Sequence, residues 1–518
     1  MSEAEKAPSS GVKSNKRDQQ KPLFEFSFNQ AVKLRRETSN VSANTGALLL
    51  REVDDKLLLA LDIAARLRDD RDPRYVRYPV PELLRSVIYA MALGYARQDD
   101  ADTLAHDPAF KTAVWGKAGT RVADERLASQ PTISRLVSLL TKWDNLESFR
   151  HSLYLPILRH QQADGGDTRV RLGVVDLDGY PIPVFGDQPG AVYNGYYGKK
   201  VYSPLAAYFS VDGDFDSRRQ GEGLLYAKLR PGNASPAGEA EAVIDAVILK
   251  AKELAQTVAL RLDAGFAGAD ILNRIDQAGV RFTVRLPDNP VLQRLAQPYL
   301  VRPQGRPPKE GYEYAIELTG YRNPKWNKSF RVILVVVDKP KDGQLSLAPE
   351  YFFLCTNWPK ESRSPEECLD HYRQRAVFED RLGEWNNMRV KLSLDDFSKN
   401  EAILLLSLMA FNLMGIIRRE AESAHDPRAN PPHTPEGSGW DMGRTRNVLL
   451  KAGSVLVRSG RRLLFDLVEG LAPLWLAVLG RITRWHSLPH EPFRARSPIL
   501  PDFMPLPAHA FRSYTPRL

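Results

Sequence analysis

The 518-residue chain is short of several things, and each shortage removes a class of protein. It has two cysteines, Cys355 and Cys368, neither in a Cys-x-x-Cys or Cys/His cluster, which argues against a disulfide framework and a structural zinc site. A reducing cytoplasm is the expected compartment. Long apolar runs are also missing. The longest, Ala402 to Ile417, contains Ser407 and Asn412 and falls short of the roughly 20 residues that cross a bilayer, so it reads as a buried helix and no membrane partner is expected. The first residues, Met-Ser-Glu-Ala-Glu-Lys, carry mixed charge with no apolar run behind them, and no secretory signal is expected. No Gly-x-Ser-x-Gly elbow or His-Glu-x-x-His helix occurs, and Gly195-Tyr-Tyr-Gly-Lys-Lys200 lacks phosphate-loop spacing. Serine hydrolysis, zinc proteolysis and ATP use therefore have no sequence signal.

What is present describes an ordinary folded chain: 43% hydrophobic and 26% charged residues, and enough length for two to four structural units. Lys and Arg number 72 against 63 Asp and Glu, a formal net charge of +9. That excess points toward a polyanion such as nucleic acid.

Patterning divides the chain. Residues 1–45 are polar and aperiodic, with Lys6, Lys13, Lys16, Arg17 and Lys21 interspersed, and read as a flexible basic arm. From 46 to 165 the period is helical, as in Pro81 to Tyr95, and a further helix begins near Ser129. The short polar and basic side chains there, Ser129, Thr132 and Arg135, suit a helix end set against DNA, with a capped surface helix as the plain alternative. Over 166–288, strand patterns around Gly173 to Asp178, Ser203 to Ser210, Gly223 to Leu229, Thr257 to Asp263 and Val280 to Leu286 are interleaved with two helices, implying a mixed α/β sheet. A β-rich segment over 289–350 follows and reads as an insertion; 351–422 returns to a strand and then helices, including one predicted over Ser364 to Asn386. The last part, 423–518, opens on a Pro, Gly and His-rich break and reads as a basic helical region through Arg444, Arg446, Lys451, Arg458, Arg461 and Arg462.

Three groups of residues can carry chemistry. Asp176 and Asp178 share one face at the end of an apolar strand, where a charge is expensive unless paired or bound to metal; an edge or turn aspartate is the alternative. Asp263 closes a second apolar strand before Ala-Gly-Phe, where a turn aspartate would look the same. Tyr372, Arg375, Glu379 and Asn386 fall at steps of three, four and seven on one predicted helix, so that Arg375 can hold a phosphate beside Glu379; a solvated ion-pair face is the competing account. Carboxylates from two strands and a helix are what divalent ions need for in-line phosphoryl transfer, and oxygen ligands select Mg²⁺ or Mn²⁺. A glycosidase would also use two carboxylates, but it leaves Arg375 and the basic charge unexplained.

In this order, Leu93-Gly-Tyr-Ala-Arg-Gln-Asp-Asp100, His106-Asp-Pro-Ala-Phe110, Leu127 to Arg135, Asp176-Leu-Asp-Gly-Tyr180, Tyr193-Asn-Gly-Tyr-Tyr-Gly198, Leu229-Arg-Pro-Gly-Asn233, Arg261-Leu-Asp-Ala-Gly-Phe266, Tyr372 to Glu379 and Ala410-Phe-Asn-Leu413 form a distinctive set. From Leu48 to Leu479 the chain resembles the DDE transposases of bacterial insertion sequences, in particular the thirteen-eighty family. The resemblance implies an RNase H-like core split by the β-rich insertion and flanked by helical regions that bind transposon ends. It implies Mg²⁺-dependent cleavage at terminal inverted repeats in double-stranded DNA, followed by attack of the 3′ ends on target DNA by a homodimer in a synaptic complex, in the bacterial cytoplasm at the nucleoid. The acidic positions fall on Asp178, with Asp176 as its alternative, Asp263 and Glu379, and Tyr372 and Arg375 match the tyrosine and arginine that precede the glutamate. Two departures stand out: Asn386 replaces the signature's lysine, whose phosphate contact Arg389 or Lys391 can supply, and Tyr180 stands where Thr or Ser is common. A transposase-derived DNA-binding protein without catalysis, or a general RNase H-like nuclease, is the competing reading.

Overall fold

The computed structural model describes residues 40–117, 119–163, 169–211, 221–235, 237–302, 310–340, 348–424, 440–486 and 488, together with the backbone of 24–26 and 29–34. The basic residues Lys6 to Lys21, the Pro, Gly and His-rich stretch 425–439 and the tail from Pro489 lie outside the described residues. Within the segment read as an arm, Phe24–Phe26 and Asn29–Leu34 pair as antiparallel strands.

The N-terminal region is helical. Helices α1 (Ala47–Leu57), α2 (Val80–Ala92) and α3 (Gln130–Leu140) are its longer members. Helix α2 starts with Pro81 in its first turn, where a missing N–H costs nothing, and buries Leu84, Val87, Ile88 and Met91 at helical spacing. Asp54 locks α1 to α2: its carboxylate accepts from Arg85 Nε at 2.6 Å, Tyr89 Oη at 2.7 Å and the Ala60 amide at 2.7 Å.

Eight strands then form one sheet: β1 (Val170–Gly179), β2 (Leu205–Val211), β3 (Gly223–Lys228), β4 (Ala255–Leu262), β5 (Arg281–Leu286), β6 (Tyr312–Leu318), β7 (Arg331–Asp338) and β8 (Glu350–Thr356). Their spatial order is β6-β7-β8-β5-β4-β1-β2-β3. β1, β2 and β3 make an antiparallel meander, and β4 and β5 lie parallel to β1. Helix α4 (Ala240–Leu254) leads into β4 and α5 (Ala269–Gln277) into β5, the crossovers that parallel strands require. The order 3-2-1-4-5 of the first five strands is the RNase H-like sheet.

The β-rich insertion forms no sheet of its own: β6 and β7, with β8, continue the core sheet antiparallel from β5. The reason lies in β7, whose Val332, Leu334 and Val336 enter one core while Ile333 and Val335 enter the other. A strand apolar on both faces must lie inside a sheet covered on both sides.

Helices α6 (Pro365–Arg373) and α7 (Ala376–Asn386) follow β8. The expected buried helix is α8 (Phe397–Ala424), 28 residues long and, among the described residues, the one helix with the length and apolarity to span a bilayer; its apolar window is wholly buried inside the protein. Its polar side chains close the β3 edge of the sheet. Asn412 donates to the Leu224 carbonyl at 2.9 Å and the Leu153 carbonyl at 2.8 Å and accepts from the Leu224 amide at 2.8 Å. Glu401 accepts from the Leu229 amide at 2.9 Å and Arg150 at 2.8 Å.

The C-terminal region is not wholly helical as expected. Before α9 (Ala472–Thr483), Ser454–Ser459 and Arg462–Leu467 form a hairpin whose first strand pairs with Val41–Ser42. Gly460-Arg461 supplies the turn, with Gly460 at φ 58°, and the apolar residues on either side alternate, so strand is the period that fits. One core joins α1, α2 and α3 to α7, α8 and α9, so both ends of the chain share a single helical layer.

Candidate active site

Two residues apart on β1, Asp176 and Asp178 project to the same side of the sheet, and the fold treats them differently. Asp176 is fully buried and lies opposite Arg261 of the parallel strand β4. Arg261 grips it in a fork, Nε to Oδ1 at 2.8 Å and Nη2 to Oδ2 at 2.5 Å. Burial pushes the Asp176 carboxyl up and Arg261 pulls it back down. Asp178, at the strand end, is partly open to solvent and accepts from the Gly179 amide at 2.8 Å.

Arg261 also shapes the helices above the sheet. Its Nη1 donates to the His371 carbonyl at 3.0 Å and to Gln374 Oε1 at 3.3 Å. An unbroken helix would give the His371 carbonyl to the Arg375 amide, which instead bonds the Tyr372 carbonyl at 3.0 Å. The single helix predicted over Ser364 to Asn386 is therefore two, α6 and α7, with a turn at Gln374-Arg375 and Arg375 as the N-cap of α7. Tyr372 and Glu379 thus lie on different helices, while the four-residue step from Arg375 to Glu379 keeps its contact.

Arg375 is the hub of the group. Its Nη2 pairs with Asp178 Oδ2 and its Nη1 with Glu379 Oε1 at 3.0 Å, while its buried Nε has no hydrogen-bond partner. Asp263, just past β4, caps the turn Ala264–Phe266 by accepting from the Ala264 amide at 2.7 Å, and is half-buried. Burial pushes the Asp178 carboxyl up; Arg375 opposes this, and the nearby charges of Asp263 and Glu379 add to it. The Tyr372 phenol is pushed up to about 12, chiefly by burial, with Asp263 and Asp178 contributing. The structure thus brings Asp178, Asp263, Glu379, Tyr372 and Arg375 into one electrostatic neighbourhood. Among the described residues no three His, Cys, Asp or Glu side chains stand close enough to grip one ion. The donor chemistry still fits a hard divalent cation, because the carboxylates offer oxygen alone and the guanidinium between Asp178 and Glu379 stands where a counter-ion would.

Past the end of α7 lies a cleft of about 930 Å³, walled by α2 and α3, the segment Ile182–Gln188 and the chain after α7, with none of Asp178, Asp263, Glu379, Tyr372 and Arg375 in its lining. Arg97, Arg389 and Lys391 line it with Asn386, and Asp99 adds one negative charge. Arg389 has φ 56°, a strained backbone for a non-glycine residue. Ser129, Thr132 and Arg135 are elsewhere. Ser129 is the N-cap position of α3 but makes no side-chain cap bond, and it is Gln130 and Ile133 of that helix that line the cleft. Tyr180 packs edge-on against Trp385, ring centroids 6.0 Å apart.

Two further residues matter and were not singled out by pattern. Arg261 had a signal, a charge inside an apolar strand opposite an aspartate. Arg230 is buried and donates to the carbonyls of Ser203 at 3.0 Å, Ser235 at 3.0 Å and Gly238 at 2.8 Å, tying the segment that enters β2 to the loop that leaves β3.

Residues 24–484 match the family described as transposase DDE domain, group 1. No curated protein matches the chain. With the family match spanning most of its length and an RNase H-like sheet beneath an acidic, arginine-centred group, this chain belongs to the DDE transposases.

Proposed function

We propose that the chain is the transposase of a bacterial insertion sequence, cleaving double-stranded DNA at the element's terminal inverted repeats and joining the 3′ ends to target DNA. The observation that carries this reading is the gathering of Asp178 and Glu379 on Arg375, with Asp263 close enough to act on Asp178. Asp178, Asp263 and Glu379 would hold Mg²⁺ or Mn²⁺, which supplies an activated water and charge neutralisation at the phosphate. Asp176 is the weaker ligand candidate, because both its oxygens are taken by Arg261. Arg375, paired here with Asp178 and Glu379, would offer its guanidinium to a phosphate oxygen, and the buried Tyr372 phenol stands in the same charged group. Arg389 and Lys391 hold the DNA backbone in the cleft, a role the signature's lysine would fill at position 386. α3, with Ser129, Thr132 and Arg135, carries a second DNA contact, and two copies of the chain pair the element ends.

The test is cleavage of a duplex carrying the gene's flanking inverted repeats by purified protein with Mg²⁺ or Mn²⁺. Asp263→Ala is expected to abolish cleavage and keep binding. Equal cleavage by that variant sinks the assignment, and binding by the wild type without cleavage under either metal favours a DNA-binding protein that has lost catalysis.

A further inference from the structure

The exposed aromatic side chains are concentrated at one place that the reading above does not use. Between β1 and β2 the chain forms a small three-stranded sheet, in which Lys199–Tyr202 pairs on one side with Ile182–Pro183 and on the other with Val192–Asn194. One end carries Phe185, Tyr193, Tyr196 and Tyr197, which are 89%, 63%, 89% and 41% exposed. Rings of this size are ordinarily buried, and four left in water at one sheet end are an unpartnered surface. The end is also built to stay in place. Gly198 takes φ 63° to close the turn, its amide bonds the Asn194 carbonyl at 2.9 Å, and Asn194 Oδ1 accepts from the Tyr196 amide at 3.0 Å. The Tyr196 and Tyr197 rings stand edge to face, centroids 4.9 Å apart, and prop each other.

Charge and position say what meets this surface. Lys199 and Lys200 are exposed beside the rings, and Lys200 pairs with Asp187 at 2.5 Å. Phe185 also lines the basic cleft, and the charge of Asp178 is close enough to Tyr197 to act on its phenol. The aromatic end therefore borders the cleft through Phe185, follows the Asp178 end of β1 by a few residues, and is flanked by lysines. Flat, solvated rings with adjacent cations match the faces of unpaired nucleobases and the phosphates that join them.

We propose that this tyrosine-rich sheet end is a stacking site for unpaired nucleobases, holding the end of a DNA strand next to the acidic group. The inference rests on the transposase reading for the source of the strand end, but the binding it describes needs no cleavage. Stacking requires only ring faces, so it is tolerant of sequence, and Tyr196 and Tyr193 carry it through their rings and not their hydroxyls.

The experiment uses the full-length protein without added divalent metal and two probes: a blunt duplex, and the same duplex with a short single-stranded 3′ extension containing 2-aminopurine. The wild type is expected to quench the 2-aminopurine and to bind the extended probe roughly ten-fold more tightly than the blunt one. Tyr193→Ala with Tyr196→Ala should abolish quenching and preference and leave blunt-duplex affinity unchanged, while Tyr193→Phe with Tyr196→Phe keeps both. Equal affinity for the two probes, or loss with the Phe variant as great as with Ala, overturns the stacking site while the DNA-binding reading stands. No binding of either probe overturns both. A change of oligomeric state in the Ala variant, seen by light scattering and without change in DNA preference, would assign the rings to contact between copies and also overturn it.

Discussion

Within β1, a separation of two residues decides whether an aspartate serves the fold or faces the site. Asp176 has the full attention of a guanidinium in a water-free place, and breaking one side of such a pair leaves a lone charge that costs about 3–5 kcal/mol. Asp176→Asn should therefore shift the urea unfolding midpoint strongly, whereas Asp178→Asn, which removes a carboxylate crowded by Asp263 and Glu379, should unfold near the wild-type midpoint and lose cleavage. Equal midpoints for the two variants would contradict this division. His371 makes a second prediction. Burial, with Arg261 and Arg363 nearby, lowers its pKa from 6.5 to about 2, and neither ring nitrogen has a hydrogen-bond partner. Below pH 6.5 the unfolded chain takes up a proton that the folded chain refuses, so stability present at neutral pH falls as the pH drops, by up to about 1.4 kcal/mol for each pH unit. His371→Leu should flatten the stability profile between pH 6.5 and 5, measured by urea titration; an unchanged slope would mean that other groups govern it.

Among the elements, two arrangements depend on side chains that correct a regular structure. Arg261 takes the His371 carbonyl out of the helical ladder and so creates the turn that presents Arg375. α8 does the reverse for β3, supplying through Asn412 the partners that a neighbouring strand would have given. Asn412→Leu leaves the Leu224 amide and carbonyl and the Leu153 carbonyl without that partner, and is expected to cost about 3 kcal/mol. Thermal unfolding checks it, and a change under about 0.5 kcal/mol, the size of an ordinary surface substitution, would refute it. These details also explain what could be read from the sequence. Strand and helix locations in β1 to β8 follow from runs such as Val258 to Leu262, because local period reports local burial. The helix break at Gln374 is set by a residue more than a hundred positions earlier, which no local period records. The membership of β6 and β7 in the main sheet is a pairing fact, invisible in either strand alone. The hairpin at Ser454 is encoded in its alternation and its Gly460-Arg461 turn, while Arg458, Arg461 and Arg462 suit a basic helix face equally well. At the site, Asp178 and Asp263 are legible as carboxylates at strand ends and Arg375 beside Glu379 from a four-residue step; the long-range pairing of Arg375 with Asp178 appears only in the fold.

Across the whole molecule, a net charge of +9 is spread over a chain whose arginine-centred group is acidic, so the sum says little about DNA and the local cleft says more. Removing one phosphate contact should lower the steepness of the salt dependence of binding by about one unit. Arg389→Ala with Lys391→Ala is expected to reduce it by about two for duplex DNA, measured by anisotropy across a salt series; an unaltered slope would place the phosphates elsewhere. The start of the helical region and the hairpin before α9 meet as well. Ser42 pairs with Ser454, the Thr45 amide bonds the Ala452 carbonyl at 3.1 Å, and a Cβ on Gly46 would fall 2.2 Å from the Leu450 Cα. This clasp has a consequence on the ribosome. At about 5–20 residues per second, helix α1 emerges tens of seconds before the hairpin that completes its surroundings. A nascent transposase therefore holds its first helices without their partner while the catalytic sheet is already made, and the two parts join only at the end of translation. Chains stalled before Trp440 should show protease cleavage within residues 46–163 that the finished protein resists, and protection of that region in the stalled chain would show that the clasp is dispensable.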